Sequence, residues 1–263
     1  MLDRLVVVDY VDGAGGEYIS TILNQHEEFN SGTVTEETQK WLNSRRQLNA
    51  KNWDSVFESE CQLFVDRCAK ENITDIAIPY HCYLYPKHID VLKKYAKDTR
   101  FVNIDMGQHY NMVIMEYARK VLFRPLTKAN FNEIKYRIRD PKADDSKELV
   151  NLMMQNKLFA IDLILYRDGL RITKENRQTR ISYLLDRRRT SPSDDIILDY
   201  GNTFVLLDNL EKSYYTLCNS LNIQPNTEIL DSMYNRNTIN LAEATEFTEN
   251  FDSIQDHVLS TTP

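Results

Sequence analysis

The sequence predicts an α/β protein with a parallel central sheet, helices on its faces and a helix-rich C-terminal half. Three observations predict it. Short β-branched runs alternate with helical patterns over the first half of the chain. Of only seven glycines, Gly13, Gly15 and Gly16 fall within four positions, between the first such run and the first helical pattern. The second helical pattern after a strand opens at Pro86, where a missing N–H costs nothing in the first turn.

The first strand is read over 4–10, "RLVVVDY", an apolar run suited to burial on both faces. Ile19, Ile22 and Leu23 then recur at helical spacing. Residues 28–52 are polar without a clear period and read as a loop or lid with short helices. Apolar residues at 53, 56, 57, 61, 64, 65 and 68 trace one stripe of a helix over 53–72. A second strand covers 74–81, a helix follows over 86–98, and a third strand covers 100–106. Residues 109–123 read as a helix stopping near Pro125, and 146–170 and 175–189 as further helices. A late strand is expected over 194–204 and a helix over 210–223. The expected organisation is one domain over 1–240 and an acidic tail over 241–263, loosely held or packed on a partner.

Composition narrows the classes. A net charge of −7 argues against general nucleic-acid binding, which needs clustered Lys and Arg. The basic run Arg187–Arg189 reads as a solvated helix end. No apolar run approaches the roughly 20 residues of a membrane span, and the N-terminal run reads as a strand, not a signal peptide. Cys61, Cys68, Cys82 and Cys218 form no CxxC pair and read as small core residues, which points to a reducing, cytoplasmic location. His26, His88, His109 and His257 share no metal-ligand spacing with His81, so no metal site is expected.

A strand running into a glycine-rich turn and a helix gathers backbone N–H groups and the positive helix end at one place. Glycine there tolerates φ > 0 and lets a phosphate come close. The candidate anion-binding residues are therefore Gly13, Ala14, Gly15, Gly16, Glu17 and Tyr18. Neither GxxxxGK[ST] nor GxGxxG is present, since the next lysine after Gly16 is Lys40. Glu17 suits the helix dipole but repels a phosphate. The alternative is a tight β-to-α turn without a ligand. His81 closes the second predicted strand on the same sheet edge, where a general base would stand.

Together these segments resemble the sulfotransferase family, a branch of the P-loop fold that uses the sulfate donor 3′-phosphoadenosine 5′-phosphosulfate (PAPS). "DGAGGEYI" stands where the family has PKSGTTW, with Asp12 at the proline, Gly13 at the lysine, Gly15 at the glycine and Tyr18 at the tryptophan. "IPYHCYLYPKHIDVLKKYAKDTRFVNIDM" follows the family order of strand, histidine, proline-led helix and strand, and "IILDYGNTF" resembles a later family strand. The resemblance implies PAPS binding and His81 as the base that deprotonates an acceptor hydroxyl. It also implies a loop lysine, which Gly13 cannot replace, and an Arg/Ser clamp after the third strand, where "NIDMGQHYNMVIM" has neither. "RIRDPKADDS", with Arg139, Asp140, Pro141 and Lys142, reads like the family's clamp segment but lies nearly 60 residues after His81. Compensating charge would come from Arg45, Arg46 or Arg187–Arg189. Two other expectations stand beside this one. A non-catalytic scaffold would keep the fold for a homo-oligomer or a protein partner; a P-loop kinase would need the missing Walker lysine.

Overall fold

The computed structural model describes residues 1–10, 14–29, 32–49, 51–81, 86–105, 173, 175–176, 179 and 196–242. The chain divides into two units, Met1–Gly107 with Thr190–Asn235, and Gln108–Arg189 with Arg236–Pro263. The elements below belong to the first unit, except the end of the last helix. The expected helices over 109–123 and 146–170, most of that over 175–189, the segment Arg139–Lys142, the run Arg187–Arg189 and the tail beyond 242 lie outside the described residues, as does Cys82.

The protein is α/β, with a four-stranded parallel sheet flanked by helices. Strands β1 (Leu2–Tyr10), β2 (Asp75–His81), β3 (Ala96–Asp105) and β4 (Ile196–Asp199) stand in the order β2-β1-β3-β4. β1 is central because Leu5, Val6, Val7 and Val8 are all buried, as a strand covered on both faces requires. Its register runs Val7↔Ile78 on one side and Val7↔Phe101 on the other.

One face of the sheet is covered by α3 (Trp41–Leu48), α4 (Trp53–Lys70) and α5 (Pro86–Lys93). Leu5, Val7, Ile76, Ile78 and Tyr80 join Phe57, Phe64, Cys68 and Leu92 in one apolar core. The stripe read from the sequence is thus the buried face of α4. Cys61, Cys68 and Cys218 are buried free thiols within the core of this unit. Burial pushes Cys61 and Cys68 up to about 12 and Cys218 up to about 11. They are inert packing groups at neutral pH.

Helix α1 (Gly16–Leu23) packs on β1 and β2, with Tyr10 against Gly16. Just beyond α1, Asn24 seals the outer side of β2, donating to the Ala77 carbonyl at 2.8 Å and accepting its N–H at 2.7 Å. A side-chain amide here mimics the strand that the edge lacks. The polar 28–52 stretch holds a 3-10 turn (Glu27–Phe29), the short helix α2 (Glu36–Gln39) and α3, in line with a loop carrying short helices.

The largest departures from the expected boundaries fall at two places. The helix opened by Pro86 stops at Lys93, and β3 begins at Ala96, four residues before the expected strand. Lys94 and Tyr95 close the helix through N–H bonds to Val91 and Leu92, and the Tyr95 carbonyl accepts the N–H of Leu2, which draws the chain straight into the sheet. The expected strand over 194–204 pairs only over Ile196–Asp199, and Gly201–Val205 forms a π turn. Asp199 redirects the chain there: its Oδ1 accepts the N–H of Asn202 at 2.7 Å and its carbonyl accepts the Thr203 hydroxyl at 2.7 Å. Helix α6 (Leu207–Leu221) follows, and then α7 (227–242), where Asn226 Oδ1 accepts the N–H groups of Glu228 and Ile229.

Two buried histidines tie the layers together. Trp53 Nε1–H donates to the Tyr80 hydroxyl at 3.1 Å, which lies 3.2 Å from His88 Nδ1, while His88 Nε2 lies 3.0 Å from Asp54 Oδ1. With the Trp53 proton fixed, Tyr80 donates to Nδ1 and Nε2–H donates to Asp54, so a neutral imidazole satisfies every group. His26 lies 3.0 Å from the Gln224 carbonyl and 3.2 Å from the Tyr214 hydroxyl, joining the end of α1 to the chain after α6. Burial lowers the pKa of both, against the opposing pull of the Gln224 carbonyl on His26 and of Asp54 on His88.

A lowered folded pKa means that the unfolded chain binds more protons. The stability contributed by neutral His26 and His88 is fully present above the ordinary value of 6.5 and is lost as pH falls below it. Thermal melts from about pH 7.5 to about pH 5 should show a falling Tm. The slope over this window should be shallower in His88→Asn. An unchanged slope in that variant would mean that His88 gains or loses no proton on unfolding.

Candidate functional site

The strand order fixes where a ligand would lie. The chain leaves β1 towards β2 on one side, and leaves β3 towards β4 on the other. In open parallel sheets the crevice at such a reversal, outside the carboxyl ends of the strands, is the usual binding place. Here it opens beyond Tyr10 of β1 and Asp105 of β3.

β1 runs directly into the glycine turn. Gly15 is the N-cap of α1 at φ +79°, ψ 15°, a left-handed conformation that only glycine adopts without strain. As the N-cap, Gly15 has no side chain with which to cap the helix. The glycines also serve close packing. A Cβ on Gly15 would stand 2.8 Å from Phe204 Cζ, and one on Gly16 would strike the Tyr10 ring. Tyr10, Tyr18, Tyr200 and Phe204 form an aromatic wall around the turn, with Phe204 5.1 Å from Tyr200 and 6.5 Å from Tyr18 between ring centroids.

Of the sequence-predicted residues, Ala14 and Gly16 are buried, Gly15 is half-buried, Glu17 is exposed and Tyr18 is buried in the first turn of α1. Gly13 lies outside the described residues. His81 is the last residue of β2 and stands in register with Tyr10, so the turn and the histidine occupy the same edge of adjacent strands.

The charge partners differ from the arginines singled out in the sequence. Arg45 is committed elsewhere, holding buried Glu60 through a two-pronged pair at 2.9 and 3.0 Å and stacking over Trp41. Arg46 lies on α3, and its charge is felt at Tyr80 and His88 near the end of β2. Among the described residues, Lys40 reaches the first turn of α1, its Nζ 2.8 Å from Glu17 Oε2 and 2.9 Å from Glu36 Oε1. Burial disfavours its charge, but the two hydrogen-bonded carboxylates outweigh this and raise its pKa. One sequence signal for Lys40 exists: it is the first Lys or Arg after the glycines, and it follows a helix start at Thr35, whose hydroxyl caps the N–H of Thr38. What brings it back to α1 is tertiary and carries no local signature.

Among the described residues the strand-end carboxylates are Asp9, Asp105 and Asp199, with Asp105 and Asp199 in register. Among the described residues no group of three or more His, Cys, Asp or Glu side chains is disposed to hold a metal ion. No described helix is long and apolar enough to cross a membrane. No protein-family model matches the chain, and no curated protein matches it either.

Among the described residues this edge carries a helix start with a glycine N-cap, a histidine one strand away and a lysine held by carboxylates. Helix starts of this kind are common places for an anion. The packing of Tyr10 on Gly16 gives a direct test. Gly16→Ala should destabilise the protein by about 2–3 kcal/mol in denaturant melts, an overpacking cost. Tyr10→Leu should recover part of that loss in the double variant. Additive effects would show that the ring does not set the glycine requirement.

Proposed function

We propose that this chain is a divergent sulfotransferase-like protein that binds PAPS at the turn 13–18 and transfers its sulfuryl group to an acceptor hydroxyl. The observation that carries the reading is the register Tyr10↔His81, which sets a base beside the end of the strand that feeds the phosphate-binding turn. The strand–turn–helix geometry at Gly15 and the sequence order of turn, histidine and proline-led helix support it.

His81 takes the proton of the acceptor hydroxyl as its oxygen attacks sulfur. The new S–O bond forms while the bond from sulfur to the 5′-phosphate oxygen breaks. The products are a sulfate ester, adenosine 3′,5′-bisphosphate and a protonated imidazole, which returns its proton to solvent. Negative charge grows on the leaving phosphate oxygen, where the first-turn N–H groups of α1 and a cation would act most strongly. The partners are thus a nucleotide-like donor and a hydroxyl-bearing acceptor.

A second reading, a non-catalytic protein keeping this fold as a scaffold, is favoured by one observation. Phe204 and Tyr10 account for Gly15 and Gly16 without any ligand. Titration calorimetry separates the two. The enzyme reading expects binding of adenosine 3′,5′-bisphosphate by the full chain, retained in His81→Asn. Transfer from PAPS should fall about a hundred-fold or more in that variant. No heat and no change in Tm with the nucleotide would leave the scaffold reading standing.

A further inference from the structure

We infer that Trp53, Tyr80, His88 and Asp54 form an acid-sensitive latch between β2 and the starts of α4 and α5. It opens when His88 takes a second ring proton, before the chain as a whole unfolds. The other buried histidine, His26, is wired to accept a proton without breaking a bond.

The latch closes in one direction of donation. An indole N–H can only donate, so the Tyr80 oxygen accepts from Trp53 at 3.1 Å and gives its own proton to His88 Nδ1 at 3.2 Å. Nε2–H then donates to Asp54 Oδ1 at 3.0 Å. A second ring proton must therefore go to Nδ1. Once it is there, the Tyr80 O–H has lost its acceptor. Among the described residues that hydroxyl has no hydrogen bond besides those to Trp53 and His88. Tyr80 is fully buried, and a buried O–H without an acceptor is costly. Three donors then converge on one oxygen, and the cluster relieves this by parting. Either Tyr80 turns away from Trp53, or the imidazole turns away from Tyr80.

The charges around His88 come from every element packed on it. Asp54 on α4 favours the proton, whereas Lys87 on α5, itself paired with Asp54, and Arg46 on α3 oppose it. Tyr80 on β2 is neutral, its pKa raised by burial, with Asp9 and Cys61 acting in the same direction. The His88 side chain is 2% exposed and that of Asp54 56%, so the chain of bonds runs from solvent into the core. Burial holds the His88 pKa below its ordinary value, which keeps the latch closed at neutral pH.

His26 differs in its acceptors. Its Nδ1–H donates to the Gln224 carbonyl at 3.0 Å, and Nε2 faces the Tyr214 hydroxyl at 3.2 Å. That hydroxyl also lies 3.2 Å from the Asn226 carbonyl and accepts the Asn226 N–H at 2.9 Å. When Nε2 gains a proton, Tyr214 swings its own to the Asn226 carbonyl and accepts from Nε2 instead. Every group keeps a partner. Glu28, beyond α1, favours that proton, and Cys218 on α6, beside Tyr214, is a neutral thiol.

Proton–nitrogen correlation NMR of the full chain, from about pH 7.5 to about pH 5, tests this. The chain has two tryptophans, and Trp41→Phe identifies the indole N–H signal of Trp53. That signal should shift in one step below pH 6.5, together with the His88 ring signals, while circular dichroism stays native. The step should vanish in His88→Asn, which offers Tyr80 an acceptor but takes no proton, and persist in His26→Asn. It should move to lower pH in Asp54→Asn, which removes the charge that favours the proton. Asp54 is exposed, so this variant carries the test if His88→Asn does not fold. A Trp53 signal that stays flat while His88 titrates, or flat down to the pH of unfolding, would overturn the latch. So would a step retained in His88→Asn or one unmoved in Asp54→Asn. A step lost in His26→Asn would overturn the contrast between the two histidines.

Discussion

The approach of α1 to β1 at Gly16 is the contact on which the rest of the architecture depends. The Tyr10 ring lies where any side chain at position 16 would be. The sheet and the helix therefore meet backbone to ring, and the turn between them must be short and sharply bent. Gly15 provides the bend at φ +79°. With that turn fixed, the start of α1 is held at the end of the central strand, and Asn24 at its far end reaches Ala77 on β2. A larger residue at 16 would push α1 off the sheet and take both its ends with it.

The same contact orders the chemistry along the sheet edge. Because the strands are parallel and β1 is central, every chain segment leaving the sheet emerges on one side. The turn, His81, Asp105 and Asp199 reach that side by register alone. Among the described residues Asp9, Asp105 and Asp199 stand along that edge. Lys40 reaches the first turn of α1 from an anchored helix of only four residues, stitched by Gln39 to α1 and by Thr38 to Glu71 at the end of α4.

Much of the fold was legible in the sequence because its signals are local and periodic. The run Leu5–Val8 could only be a doubly covered strand, and the stripe from Trp53 to Cys68 marked the buried face of α4. Two errors of boundary came from capping that only the folded chain supplies. Lys94 and Tyr95 turn back on Val91 and Leu92, which pulls Ala96 into β3, and Asp199 bends 200–205 out of an apolar stretch that reads as strand. The turn and His81 were legible as neighbours on one edge, since strand ends predict this. The aromatic wall of Tyr10, Tyr200 and Phe204 was not, because contacts across some 190 residues leave no pattern in either segment. Lys40 escaped for the same reason, while Arg45, which looked equally available, is taken up by buried Glu60.

The central claim is that the amides at the start of α1 receive a phosphate at the mouth of the sheet. Backbone NMR of the full chain during titration with adenosine 3′,5′-bisphosphate tests it most directly. The account predicts saturating shifts concentrated at Gly15, Gly16, Glu17 and His81. Saturating shifts elsewhere with these amides unmoved, or none at all, would contradict it.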